Sequence, residues 1–173
     1  MRVAILTISD RSYHGERADK SGPAVAEGVL RLLAGAVVVE QTILPDERED
    51  IAWNLKRLAD TGAADLVLTT GGTGLSPRDV TPQATRDIAD YEVPGLAEVM
   101  REATRAAVPT AILSRQVAAV CGRTLIVNLP GSPRGAVECL EAVASVLPHA
   151  VATLRGEAGD AHPGFGRGSP PQG

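Results

Sequence analysis

Asp65-Leu-Val-Leu-Thr-Thr-Gly-Gly-Thr-Gly-Leu-Ser-Pro-Arg-Asp79 is the stretch that decides the fold of this chain. The apolar run 66–68, followed by Thr69 and Thr70 and closed by glycines, reads as a strand of a parallel sheet buried on both faces. Gly71, Gly72 and Gly74 then permit a sharp turn and a close approach of backbone to a ligand. Thr81-Pro82 reads as a helix start, with Thr81 as N-cap and Pro82 in the first position. Strand, glycine turn and helix start together make a phosphate-binding geometry, because free N–H groups and the helix dipole both point at an anion. Asp79 stands between the turn and the helix, and a carboxylate beside a phosphate implies a divalent cation between them. No Gly-Lys-Ser/Thr follows, so the turn is not a P-loop, and it lacks the G-x-G-x-x-G spacing of dinucleotide-binding folds. A tight turn without a ligand is the plainer alternative. Thr73, Ser76, Arg78 and Asp79 around the glycines favour binding.

Outward from this stretch, the chain alternates strands and helices. A first strand over 2–8 ends at Ser9 and Asp10, in the layer outside strand carboxyl ends where open α/β sheets bind ligands. Asp10 also reads as a turn residue that satisfies its own backbone. A long polar loop covers 11–21. Gly22-Pro23 opens a helix that Gly35 ends, and the β-branched run 36–44 forms the second strand. It closes in Pro45-Asp46-Glu47, and Asp46 taken alone reads first as the cap of the next helix, over 47–60. Trp53 lies opposite the apolar stripe of Ile51, Leu55 and Leu58, which makes it a candidate subunit contact.

Beyond the central turn, helices are predicted over 81–90 and from Pro94-Gly95 to Pro109. A short strand is predicted over 110–113, leading into Ser114-Arg115. A hydroxyl beside a guanidinium suits phosphate oxygens, although a surface loop is the simpler reading. The last strand, 123–129, runs into Asn128-Leu-Pro-Gly-Ser-Pro133. Pro130 and Gly131 make a second glycine turn, and Ser132 caps a final helix that Pro148 should break or kink. The expectation is a three-layer α/β/α sandwich with a mostly parallel sheet. A domain over 1–155 would be followed by a flexible Gly/Pro-rich tail over 156–173.

Bulk properties narrow the function classes. The chain has 173 residues, enough for one domain with its own core, and a net charge of −4 that disfavours a nucleic-acid surface. Aromatics make up 2% of residues, which disfavours base stacking. Cys121 and Cys139 form no metal or redox spacing, and His14, His149 and His162 are scattered. No segment reads as a leader or a membrane span, so a cytoplasmic protein is expected.

These residues bear a family resemblance. The chain resembles the molybdopterin-binding Mog/MoaB family, shared with the G domain of gephyrin. The resemblance rests on Thr7-Ile-Ser-Asp10, Pro45-Asp46, Thr70-Gly-Gly-Thr-Gly74 with Arg78-Asp-Val-Thr-Pro82, Pro94-Gly95, Leu113-Ser-Arg115 and Asn128-Leu-Pro-Gly131. It spans about 3–147, and 108–117 looks most like the Mog branch. It implies the molybdopterin-binding domain fold and a molybdopterin adenylyltransferase, which joins AMP from ATP to molybdopterin with Mg²⁺ and releases pyrophosphate. It also implies a homotrimer and hand-over of the product to a molybdate-insertion protein. By the same resemblance Asp46 and Asp79 are required for function, and Ser114 belongs to the pterin-phosphate site.

The chemistry agrees with the residues. Two anions must approach each other, so charge neutralisation and in-line positioning are needed. Asp46 and Asp79 are the expected Mg²⁺ ligands, and Arg78 or Arg115 the expected cations for departing pyrophosphate. A non-catalytic molybdopterin-binding or carrier protein is the alternative on the same scaffold. A nucleotide-binding regulator would explain the glycine turns but not the two carboxylates.

Overall fold

Six strands form a single sheet in the order β2-β1-β3-β6-β5-β4. The computed structural model describes residues 1–157. In chain order the elements are β1 (Arg2–Ile8), α1 (Asp10–Tyr13), α2 (Ser21–Leu32), β2 (Val37–Leu44), α3 (Arg48–Asp60), β3 (Leu66–Thr70) and α4 (Thr81–Ile88). They continue with β4 (Tyr91–Glu92), α5 (Pro94–Arg105), a 3₁₀ helix (Pro109–Leu113), β5 (Ala118–Cys121), β6 (Thr124–Leu129), α6 (Pro133–Val143) and α7 (Leu147–Arg155). Strands β2, β1, β3 and β6 run parallel, while β5 is antiparallel to β6 and to β4. The sheet is therefore mostly parallel with helices on both faces, as expected.

The period of two along each central strand builds two cores. Val3 and Ile5 of β1, Leu66 and Leu68 of β3, and Leu125, Val127 and Leu129 of β6 face α2, α5, α6 and α7. Ala4, Leu6 and Ile8, with Val67 and Ile126, face α3 and α4. Every residue of β3 and β6 is buried, which is why both carry consecutive apolar residues, Leu66-Val-Leu68 and Leu125-Ile-Val127, rather than alternating ones.

Several expectations are corrected. The run 110–113 is not a strand; Pro109 opens a 3₁₀ helix there, and Ile112 and Leu113 are exposed. Proline preset the helical φ, and the β-branched residues behind it carried no pairing partner. The strand lies further on, at β5, which returns through the Gly122-Arg123 turn to pair with β6; Gly122 takes φ +58°. Thr81 is not the N-cap of α4 but its first buried residue, and its hydroxyl donates to Gly71 O at 2.9 Å. The loop over 11–21 begins with the single turn α1, capped by Ser9. The last helix breaks at 144–146, ahead of Pro148, which sits in the first turn of α7. The tail expected over 156–173 lies, from residue 158 on, outside the described residues.

Candidate active site

The strand register brings four carboxyl ends into one row. Ile8 pairs with Leu44, Thr7 with Thr70, and Thr70 with Leu129. The segments that follow these strands hold most of the expected site residues. The two glycine turns touch. Gly71 N donates to Leu129 O at 3.2 Å and Thr70 Oγ1 to Pro130 O at 2.8 Å. A side chain at Gly131 would come within 3.2 Å of Gly71 Cα. Ser21, from the start of α2, ties the second turn by donating to Gly131 O at 2.7 Å.

The first turn is tight for reasons internal to the protein. Gly71 has φ +105°, and a Cβ there would lie 2.2 Å from Ile8 O. Gly72 has φ +63°, and a Cβ there would meet Thr81 Oγ1 at 2.3 Å. Neither position accepts a side chain, and the close approach is to strand β1 and helix α4 themselves. A Cβ at Gly74 would lie 2.8 Å from Asp79 Oδ2.

The carboxylates are placed by backbone amides. Asp46 Oδ2 accepts from Asp10 N at 2.8 Å, and Asp10 Oδ1 accepts from Asp46 N at 2.9 Å, a reciprocal lock across the ends of β1 and β2. Asp79 Oδ2 accepts from Ser76 N at 2.8 Å. The second oxygen of Asp46 and of Asp79 takes no hydrogen bond from the described residues. Burial pushes the Asp46 carboxyl above its usual range, and the charges of Asp10 and Asp79 push the same way; the Asp10 amide and Arg78 oppose them. Asp10 is held below the usual range, first by the Asp46 amide and then by Arg78 against the opposing effect of burial. A like charge nearby and partial burial are the conditions under which a carboxylate gains most from a cation.

Two cavities flank the turns and have Ser132 in both linings. One, of about 410 Å³, is mainly polar and is lined by Ser9, Asp46, Gly71, Gly72, Asp79 and Gly131, among others. The other, of about 420 Å³, is mainly apolar and lies under α5 and the 3₁₀ helix. Thr73, Gly74, Leu113, Ser114, Pro130 and Ser132 contribute to it.

Four expected residues have other work. Arg78 forks onto Asp10 Oδ1 and Oδ2 at 2.9 and 2.8 Å and reaches Glu47 Oε1 at 2.8 Å. Arg115 donates to Gly74 O at 2.7 Å and to Asp79 O, so it braces the first turn. Asn128 is fully buried, donating to Thr69 Oγ1 and Thr85 Oγ1 at 3.0 Å each; it joins β6 to β3 and α4 and lines neither cavity. Asp10 is locked to Asp46 rather than open to the polar cavity.

Sequence reading missed Arg17, Asp19 and Lys20, which line the polar cavity. Asp19 accepts from Thr7 Oγ1 and from the amides of Ser21 and Gly22, and so positions the loop. Arg17 and Lys20 form no ion pair among the described residues. Lys20 was legible as one of only two lysines, set immediately before a helix start. The apolar cavity's Arg101, Thr104, Gln116 and Cys139 come from separate elements and gave no local signal.

The fold and the two neighbouring cavities define an α/β protein whose candidate site lies at the carboxyl edge of its sheet. Residues 4–149 match the family model described as probable molybdopterin binding domain. The chain is 41% identical over 156 residues to the molybdopterin adenylyltransferase of Helicobacter pylori J99, covering 90% of this chain and 89% of the relative. It is 46% identical over 143 residues to that of Escherichia coli K12, covering 83% and 73%. The crystal structure of the molybdopterin biosynthesis enzyme MoaB from Thermus thermophilus superposes with a TM-score of 0.82 at 52% identity, covering 90% of this chain and 96% of that one. The chain belongs to the Mog/MoaB molybdopterin-binding family.

Proposed function

We propose that this protein is a molybdopterin adenylyltransferase of molybdenum cofactor biosynthesis, using ATP and releasing pyrophosphate. The observation that carries the reading is the pair of neighbouring cavities that share Ser132 in their walls, one apolar and one polar with two partly free carboxylates. An apolar cavity of this size suits a flat heterocycle, and the polar one suits a triphosphate. In the reaction an oxygen of the pterin's phosphate attacks the α-phosphorus of ATP. The bond from that phosphorus to the bridging oxygen breaks, and pyrophosphate leaves with the electron pair. The chain's part is to align the two substrates and to offset their charge.

Asp46 and Asp79 fit a Mg²⁺ ion: each keeps an oxygen without a protein donor, and both line the same cavity. Two carboxylates match an ion that retains several waters and shares substrate phosphates. Bound there, Mg²⁺ would supply charge neutralisation of the triphosphate. Arg17 and Lys20, rather than Arg78 and Arg115, are the cations beside it without an ion pair among the described residues. The backbone amides of Gly72 and Gly131 supply neutral donors, and Ser114 serves the pterin side. Arg78 and Arg115 act one step back, holding Asp10 and the first turn.

We extend the reading to a cytoplasmic homotrimer that hands its product to a molybdate-insertion protein. Among the described residues no single helix is long and apolar enough to cross a membrane. Trp53 is 64% exposed, with the Arg57 guanidinium 5.8 Å from its ring centroid. That gives the trimer one candidate contact, and sedimentation velocity at micromolar concentration tests it; a single monomer boundary would contradict it.

Pyrophosphate release with ATP, Mg²⁺ and molybdopterin tests the activity. Release that requires all three is expected. A carrier on the same scaffold would bind molybdopterin and release none.

A further inference from the structure

Among the described residues, the apolar cavity contains one polar group with nothing to bond. Gln116 is 2% exposed and lines the cavity between Ser114 and Cys139. Its Oε1 accepts from Ser114 Oγ at 3.1 Å, while its Nε2 is buried without a partner. A buried donor left unsatisfied is costly, and native proteins rarely keep one without a reason. The groups around it offer no strong acceptor. Thr104 Oγ1 is engaged with Met100 O at 2.8 Å, and the Cys139 thiol, pushed up to about 11 by burial against the opposing Gln116 and Thr104 side chains, stays neutral, so its sulfur is only a weak acceptor beside the Gln116 amide. Arg101 donates to the backbone oxygen of Gln116 and not to its side chain.

We propose that Gln116 is a specificity-determining residue for the occupant of this cavity, donating from Nε2 to an acceptor on the edge of a heterocycle, a ring carbonyl or ring nitrogen. This rests on the assignment of the apolar cavity to the pterin and goes beyond it by naming the group that recognises the ring. The terminal torsion of a glutamine side chain is soft, so a small rotation turns the amide edge to the cavity. A site that buries a hydrogen-bonding group rejects ligands that lack the partner, because the group is then left unpaired. An apolar cavity would otherwise accept any flat ring of suitable size.

The test is Gln116→Met, with Gln116→Leu as a second variant of different shape. Both remove the amide and keep most of the volume. Three quantities are read: the melting temperature without ligand, the KM for molybdopterin and the KM for ATP. The expected result is a melting temperature equal to or above wild type, because an orphaned donor has been removed. The KM for molybdopterin should rise about tenfold, the loss of one well-made hydrogen bond, with the KM for ATP unchanged. A KM for molybdopterin within twofold of wild type in both variants would overturn the assignment. So would a marked fall in melting temperature in both, which would mean that the amide serves the fold. If wild-type protein itself shows no molybdopterin-dependent turnover, the functional reading falls with it. Turnover by wild type with indifferent variants removes Gln116 alone.

Discussion

Asp65 and Asp46 both sit at strand ends of one sheet, at opposite edges. Asp65 precedes β3 at the amino edge and is 4% exposed. Arg2 donates to it from its backbone at 2.7 Å and from its guanidinium at 2.6 Å, and Arg155 reaches it at 3.0 Å. Burial raises its pKa, but the Arg2 hydrogen bonds, with the charges of Arg2 and Arg155, bring it below the usual carboxylate range. Asp46 follows β2 at the carboxyl edge, has acidic neighbours, and is raised. One carboxylate is neutralised by the fold. The other is held in place by the Asp10 amide and left short of positive charge. A carboxylate served by the fold stabilises it, whereas one left uncompensated beside a cavity is available to a ligand.

The sharpest way to break this contrast is to neutralise each side in turn. Asp79→Asn and Asp46→Asn keep the shape and remove the charge. Turnover should fall by about 10² to 10³ in each, with the double variant little worse than either single, as for residues that act as one unit. Calorimetric melting at pH 7 should be unchanged or slightly higher for Asp46→Asn. A raised folded-state pKa means that the ionised form is disfavoured in the fold above that pKa, and the disadvantage disappears as pH falls through it.

Asp65→Asn should do the reverse, leaving turnover near wild type and lowering stability by about 2 kcal/mol, the scale of hydrogen bonds to charged groups. Its folded pKa is depressed, so its contribution is present above the unfolded value of about 3.9 and is lost as pH falls through the folded one. Acid titration followed by circular dichroism should therefore show a shallower loss of stability below that value in the variant. Equal acid slopes would contradict the pairing.

A subtler variant sharpens the contrast without touching a charge. Gly74→Ala places a methyl group 2.8 Å from Asp79 Oδ2, so the carboxylate must move. Turnover should fall about tenfold through misplacement, with melting nearly unchanged. Full activity in steady-state kinetics would show that Asp79 need not stand where it does. The smallest effect is expected from truncation after Glu157. The removed composition supplies little apolar burial, so melting and turnover should both stay within error of wild type.

The sequence disclosed the parts of the fold whose signals are local. Leu66-Val-Leu and the glycines after it carry their own reading, as does Ser132-Pro133, where the serine does cap α6 by accepting from Gly135 N. Asp46 and Asp79 were legible because each follows a strand end. What was not legible depended on partners distant in sequence. Arg78 looked like a phosphate ligand until Asp10, 68 residues away, was seen to occupy it. Asn128 looked like part of a turn, yet its amide crosses to Thr69 and Thr85 inside the core. β5 was missed because four small residues, Ala118-Ala-Val-Cys121, become a strand only by pairing with β6. Gln116 gave no signal, since its significance is a missing partner.

The central claim is that the carboxylates of the carboxyl edge are kept for a cation while that of the amino edge is not. Isothermal titration of ATP at varied Mg²⁺ tests it most directly, on wild type, Asp65→Asn and the Asp46→Asn/Asp79→Asn double variant. Mg²⁺ is expected to tighten ATP binding equally in the first two and to have little effect in the third. An undiminished Mg²⁺ effect in the double variant would mean that Asp46 and Asp79 serve only to order the turns, and would contradict the claim.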